Sequence, residues 1–152
     1  MGAVDWFARA REARLDGRAF IDGARCDARA GESFVKTSPI DGRTLGAVAR
    51  CREADIDAAV KSARAAFEDG RWAGKPPAQR KKLLQRFSEM ILAAKEELAL
   101  LETLDMGKPI QYSLAVDVPS TARTIAWYAE AIDKVYDEIA PTPSTALALI
   151  TR

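Results

Sequence analysis

The chain has 152 residues, a length sufficient for one domain with a modest core. Hydrophobic residues make up 48% and charged residues 30% of the sequence, which is typical of a soluble globular protein rather than a disordered one. The formal net charge of +1, from 23 basic and 22 acidic side chains, provides no electrostatic basis for binding nucleic acid or an anionic membrane.

Three further features of the sequence bear on chemistry and location. The absence of histidine removes the commonest general base and metal ligand, and it excludes Ser-His-Asp and Cys-His catalysis within this chain. Cys26 and Cys51 are too few for a disulfide framework, and ordinary free thiols are favoured over metal ligands. Residues 1–15 lack the apolar run of a signal peptide, and the longest uncharged stretch, 140–151, is too short to span a bilayer. We therefore expect a cytoplasmic protein.

The N-terminal third predicts a short helix followed by two β-hairpins. An Asp-Gly pair at 22–23 follows two strand-forming residues, which is typical of a tight hairpin turn. The second hairpin is predicted to join a strand at 33–37 to a strand at 44–50 across the turn cluster at 39–42.

The rest of the chain is mainly helical in pattern. Apolar residues recur at helical spacing over 53–67 and again over 80–105, where a break near 94–96 would divide an unusually long pattern. A third helix is predicted over 119–136, opened by a proline. The chain then ends in a strand-like apolar run at 146–151, with no partner downstream.

The residues that could take part in catalysis or ligand binding fit structural roles better than catalytic ones. Gly107-Lys108 lacks the upstream glycine of a phosphate-binding loop and is interpreted as a helix stop before Pro109. No Gly-x-Gly pattern occurs, so the dinucleotide fingerprint of ordinary Rossmann domains is absent. The charged clusters are predicted to be solvated helix surface: Glu53, Asp55, Asp57, Glu96, Glu97 and Arg80-Lys81-Lys82.

Several blocks, in matching order and spacing, resemble the NAD(P)-dependent aldehyde dehydrogenase family. The most informative is Glu102-Thr-Leu-Asp-Met-Gly-Lys-Pro109, which is similar to the family's "ETLD-x-GKP" signature. The other matching blocks are FIDG at 20–23, PIDG at 39–42, the helix at 54–67, RKKLL at 80–84 and WYA at 127–129. Segments 98–110 and 127–136 most resemble family members that act in putrescine catabolism. The resemblance covers nearly the whole chain.

The resemblance implies an aldehyde dehydrogenase-like α/β fold. Residues 1–139 correspond to the N-terminal part of the cofactor-binding domain, and residues 140–152 to the start of the oligomerisation arm, a strand that pairs with the missing chain. This part should be mainly α-helical with small N-terminal β-hairpins, an incomplete cofactor-binding domain. The family's helices bury their faces against a parallel sheet that is mostly absent here. We therefore expect marginal stability or self-association of the chain.

The family oxidises an aldehyde to a carboxylic acid. A cysteine thiolate attacks the aldehyde, hydride passes to NAD or NADP, and a glutamate-activated water hydrolyses the thioester while an asparagine helps to hold the oxyanion. The blocks that carry these groups would follow residue 152, and Cys26 and Cys51 lie in the wrong blocks for the nucleophile. The resemblance therefore implies no catalytic or cofactor-binding residue in this chain.

The one site that the resemblance assigns within this chain is for a structural monovalent cation. It would use Asp117 and the backbone near Thr37. The alternative for Asp117 is an ordinary acid at a helix N-terminus beside Pro119.

Two functional hypotheses follow. The first is an N-terminal fragment of an aldehyde dehydrogenase, from a truncated, frameshifted or split gene, that is inactive and binds no NAD or NADP alone. The second is a binding module that docks onto an intact aldehyde dehydrogenase or a separately encoded C-terminal half. Its amphipathic helices and its apolar terminal strand would supply the interface.

Overall fold

The structure, a computed structural model, describes residues 4–151. Its elements in chain order are α1 (Trp6–Glu12), β1 (Ala19–Ile21), β2 (Ala24–Cys26), β3 (Ser33–Thr37), β4 (Thr44–Ala49), α2 (Glu53–Glu68), α3 (Pro77–Ala93), α4 (Lys95–Met106), α5 (Ile110–Tyr112), a π-helical segment (Ser113–Asp117), α6 (Val118–Ala131), β5 (Glu138–Ala140) and β6 (Ala148–Ile150).

The short N-terminal helix and both N-terminal hairpins are confirmed. Strands β1 and β2 pair antiparallel around Asp22 and Gly23, whose φ values of 53° and 77° suit a tight hairpin turn. Strands β3 and β4 also pair antiparallel, with a register irregularity between Lys36 and Thr37. Gly17 forms a parallel bridge to Val48, and this bridge fastens the segment before β1 to β4.

Helix α2 confirms the prediction for 53–67, but its acidic first turn is not all solvated surface. Asp55 is buried, and its carboxylate accepts hydrogen bonds from the backbone N–H of Arg52 at 2.9 Å and of Arg29 at 3.0 Å. The first bond caps the helix, and the second fixes α2 to the segment after β2. The prediction of a solvated Asp55 was wrong because its carboxylate is bound by backbone groups, one of which, at Arg29, lies 26 positions away in sequence.

The long apolar pattern divides into α3 and α4 at Ala94, as predicted. Helix α4 then ends at Gly107, which has a φ of 78° and donates its N–H to the Thr103 carbonyl oxygen at 2.9 Å. This left-handed residue confirms Gly107 as a helix stop.

The third helical region differs from its prediction at both ends. The helical run begins at Ile110, passes through the π-helical segment, and ends at Ala131 rather than at 136. Pro119 has no N–H, so it cannot donate to the carbonyl four residues earlier. Just before it, the N–H of Val118 bonds to the Ser113 carbonyl oxygen in the i→i−5 pattern of a π-helix.

The core is small, and most of it lies where α4 and α6 pack against neighbouring elements. Its buried apolar side chains are mostly small: Ala28, Ala99, Leu100, Leu104, Val118, Ala122 and Ala129. Within residues 4–151, Ser113 is the largest side chain with less than 2% exposure. The helices are therefore only partly covered by the rest of the described chain.

The C-terminal segment forms a third hairpin. Strand β6 confirms a strand within 146–151, and it pairs antiparallel with β5, with Glu138 opposite Ile150. Strand β5, which was not predicted, gives the terminal run an upstream partner. Within residues 4–151, no further strand pairs with the other edge of β6. Among residues 4–151, none of the helices has the length and apolar character needed to cross a bilayer.

Candidate functional site

The basic run at 80–82 is not simply solvated surface. Lys81 on α3 forms an ion pair of 2.6 Å with Glu130 on α6 and one of 2.9 Å with Asp133 in the turn after α6. The hydrogen bond from Lys81 to Glu130 is the largest cause of a raised Lys81 pKa. Asp133 has a pKa lowered to about 2, first by its hydrogen bond from Lys134 and then by that from Lys81. The prediction was wrong for Lys81, whose side chain is only 21% exposed, because its partners come from α6 and the turn after it.

The two predicted cation ligands lie on different elements. Thr37 ends β3, whereas Asp117 ends the π-helical segment and accepts a hydrogen bond from the ammonium of Lys108. The carboxylate that reaches the end of β3 is that of Asp105, which forms an ion pair of 2.7 Å with Lys36.

The Asp117 carboxylate thus already has a cationic partner within the chain. Among residues 4–151, no group of three or more acidic or cysteine side chains is arranged to hold a metal ion. The assignment of Thr37 and Asp117 to a monovalent cation stays a prediction.

The two cysteines occupy separate positions in the fold. Cys26 ends β2 and pairs in register with Ala19, and Cys51 lies between β4 and α2. Both are free thiols and half-buried, which agrees with the interpretation as ordinary structural cysteines.

Large apolar side chains remain exposed on several helices and on the C-terminal hairpin. Trp127 and Tyr128 on α6 are 65% and 60% exposed, and their rings meet edge to face at 4.9 Å. The others include Ile56, Val60 and Phe67 on α2, Leu83, Phe87 and Met90 on α3, and Ile139, Leu149 and Ile150 on the hairpin. Exposed apolar area on this scale is a mark of an interaction surface.

A groove between α3, α4 and α6 concentrates this apolar character. Its volume is about 530 Å³, and it is lined by Phe87, Met90, Ile91, Leu98, Glu102, Val118 and Thr121. We name it the helical groove. Phe87 and Met90, at 51% and 56% exposure, form an apolar wall that no other described segment covers. Five of the seven residues that line the groove are apolar.

Comparison with known proteins identifies the family. A sequence model of a protein family, described as the aldehyde dehydrogenase family, matches residues 26–152 of this chain. The chain belongs to the aldehyde dehydrogenase family. Among curated proteins, it is 46% identical over 147 residues to the NADP/NAD-dependent aldehyde dehydrogenase PuuC of Escherichia coli, covering 97% of this chain and 30% of the relative. It is 49% identical over 138 residues to the aminoacetaldehyde dehydrogenase of Pseudomonas aeruginosa, covering 91% of this chain and 28% of the relative.

Solved structures confirm the fold class. The chain superimposes on an indole-3-acetaldehyde dehydrogenase in apo form with a TM-score of 0.93 and 52% identity, over 97% of this chain and 34% of that one. The gamma-glutamyl-gamma-aminobutyraldehyde dehydrogenase of Burkholderia cenocepacia gives a TM-score of 0.89 and 52% identity, and the match covers 91% of this chain and 28% of that one. A Pseudomonas syringae indole-3-acetaldehyde dehydrogenase with 52% identity was solved with NAD+. The chain thus spans about 30% of the length of the relatives that it matches.

Proposed function

We propose that this chain is the N-terminal part of an NAD(P)-dependent aldehyde dehydrogenase and that it supplies structure rather than catalytic groups. The reaction of the whole enzyme would be oxidation of an aldehyde to a carboxylic acid with NAD or NADP. The observation that carries the proposal is a match over nearly the whole chain that spans only 28–30% of the curated relatives. The helical groove supports it, because an uncovered apolar groove is what remains when a packing partner is missing.

For the substrate we propose gamma-glutamyl-gamma-aminobutyraldehyde, an intermediate of putrescine catabolism. Segments 98–110 and 127–136 support this choice, together with the similarity to the Burkholderia cenocepacia enzyme of that name. Relatives of comparable identity are named for aminoacetaldehyde and indole-3-acetaldehyde. These two aldehydes are therefore the natural competitors in any assay.

Turnover by the 152-residue chain tests the proposal. The purified chain is mixed with each of the three aldehydes and with NAD+ or NADP+, and NADH or NADPH is followed by absorbance. We expect no aldehyde-dependent signal and no cofactor binding by calorimetry, since no catalytic thiol, glutamate or asparagine of the family is assigned within the chain. Turnover that survives repeated purification would overturn the proposal.

The second candidate is a binding module whose partner is the C-terminal portion of an aldehyde dehydrogenase subunit. The helical groove favours it, because Phe87 and Met90 offer exposed apolar area in a groove whose lining also includes the polar residue Glu102. The free edge of β6 offers a second contact by strand pairing.

Co-purification tests the docking proposal. A tagged chain is co-expressed with the C-terminal two-thirds of a homologous aldehyde dehydrogenase, and the complex is isolated through the tag. Met90→Lys places a charge in the groove and should abolish recovery of the partner. Lys82→Ser alters an exposed position on the same helix and should leave recovery unchanged. Equal recovery with both variants, or capture only of a second copy or of intact enzyme, would contradict this partner.

A further inference from the structure

A cleft separate from the helical groove lies beneath the N-terminal helix. Its volume is about 680 Å³, and it is enclosed by α1, the turn between β3 and β4, and α4. Leu100 and Leu104 lie in its wall from α4, and Trp6 and Phe7 face it from α1. The size and apolar lining fall within the range of sites for small organic molecules, about 300–1,000 Å³.

Helix α1 covers this cleft without filling it. None of its residues is buried, and Phe7 is 81% exposed. It is held by polar contacts: Arg9 forms an ion pair of 2.6 Å with Glu96 on α4, and the Arg43 guanidinium donates to the Ala10 carbonyl oxygen at 2.9 Å. Apolar area is thus sheltered below a helix that contributes little packing of its own.

The polar groups around the cleft carry unused hydrogen-bond donors. The Arg43 Nε atom is buried and has no hydrogen-bond partner among the described residues, and its contact with Asp41 at 3.4 Å is only an ion-pair contact. Arg11 also lines the cleft, and its guanidinium has no hydrogen bond or ion pair within residues 4–151. A buried donor without a partner is costly unless a ligand or water satisfies it.

The carboxylates around the cleft are already engaged. Asp5 accepts a hydrogen bond from the backbone N–H of Ala8 at 2.9 Å and so caps α1. Asp41 accepts one from the backbone N–H of Arg43 at 3.2 Å, which is the largest cause of a lowered Asp41 pKa. The groups at the cleft that keep unused hydrogen-bond donors are therefore the guanidinium groups of Arg43 and Arg11.

We propose that this cleft binds one small molecule with an unbranched apolar body and a single carboxylate. The carboxylate meets the guanidinium groups of Arg43 and Arg11, and the body packs against Leu100 and Leu104. All of these residues belong to this chain, so the site does not depend on the proposed enzymatic role.

Calorimetric titration of the 152-residue chain with decanoate, below the concentration at which it forms micelles, tests the proposal. Decylammonium carries the same apolar chain with the opposite charge. We expect one decanoate site and at least about tenfold weaker binding of decylammonium, since a charge-assisted hydrogen bond contributes on the order of a tenfold or larger factor. Equal binding of the two compounds would overturn the proposal.

Variants localise the site. Arg43→Gln and Arg11→Gln should each weaken decanoate binding about tenfold or more, while Arg64→Gln on the exposed surface of α2 should not change it. If Arg43→Gln loses its helical circular dichroism, Arg11→Gln and the cleft-filling Ala10→Leu decide the question. Retention of wild-type affinity by Arg11→Gln and Ala10→Leu would overturn the assignment to this cleft.

Discussion

The Ser88 hydroxyl on α3 donates a hydrogen bond of 2.8 Å to the backbone carbonyl oxygen of Ala122 on α6. Both residues are buried, and Ala122 has no exposed surface. A small hydroxyl on one helix and an alanine on the other allow the two backbones to approach closely. This contact sets the spacing of the helix pair on which the helical groove is built.

Enlarging Ser88 should therefore separate the helices. We expect Ser88→Leu to lower the free energy of unfolding by about 2 kcal/mol or more, because inserted carbon atoms in a packed contact force the backbones apart. Ser88→Ala should cost about 1 kcal/mol, the value of one net hydrogen bond. Urea unfolding followed by circular dichroism measures both, with Glu89→Ala on the exposed side of α3 as the control. Equal stability of Ser88→Leu and the control would show that this contact is not packed.

Substitution of Gly107 separates two costs to stability, that of the left-handed backbone conformation and that of a steric contact. Its φ is 78°, and an added Cβ would lie 3.2 Å from Pro39 Cγ. Gly107→Ala should cost about 1–2 kcal/mol from the left-handed conformation, plus a further contribution from the contact with Pro39. Gly23→Ala has nearly the same φ, 77°, with nothing within 4 Å, so it reports the conformational part alone. A smaller loss of unfolding free energy for Gly107→Ala than for Gly23→Ala would contradict a contribution from the contact with Pro39.

The buried carboxylate of Asp55 should make stability depend on pH. Its hydrogen bonds from Arg52 and then Arg29 lower its pKa from the ordinary value of 3.8, so the folded state binds its proton less tightly than the unfolded state. The stabilisation is complete above the ordinary value and is lost as the pH falls through the lowered one.

Comparison with Asp55→Asn isolates this effect. The wild-type chain should exceed the variant in urea midpoint at pH 7, and the difference should shrink below about pH 4. Asp57→Asn, at an exposed position in the same helix turn, serves as the control. A difference that stays constant from pH 7 to acid pH would assign the loss to something other than ionisation.

The exposed apolar side chains should make the isolated chain associate with itself. We expect sedimentation velocity to show species larger than a monomer at high protein concentration, and a broad thermal transition of low midpoint. The double variant Met90→Lys/Trp127→Lys should shift the distribution towards monomer, whereas Lys82→Ser should not. A clean wild-type monomer with a cooperative transition at high temperature would contradict the expectation.

Local signals in the sequence were sufficient for much of the fold. The Asp22-Gly23 turn, the Gly107 stop and the break at Ala94 are determined by neighbouring residues, and each was predicted correctly. The roles of Asp55, Lys81 and Ser88 depend on partners that lie 26 to 52 positions away. Periodicity within one helix contains no information about such partners, so these residues were assigned to solvated surface or were not singled out.

The C-terminal end of α6 and the C-terminal hairpin also could not be predicted from local sequence signals. The apolar residues Ile132 and Val135 continue the helical spacing, yet the helix ends at Ala131. Strand β5 is only three residues long, and it is recognisable only through its pairing with β6. For the site, the family's motifs identified the chain, but the two clefts emerged only from the packing of several elements.

Complementation shows directly whether this chain supplies the N-terminal structure of an aldehyde dehydrogenase. The 152-residue chain is co-expressed with the remaining C-terminal portion of a homologous aldehyde dehydrogenase, and NADH formation with an aldehyde is compared for the mixture and for each part alone. We expect activity in the mixture only, with loss of that activity in Met90→Lys but not in Lys82→Ser. Aldehyde-dependent NADH formation by the 152-residue chain alone would contradict it.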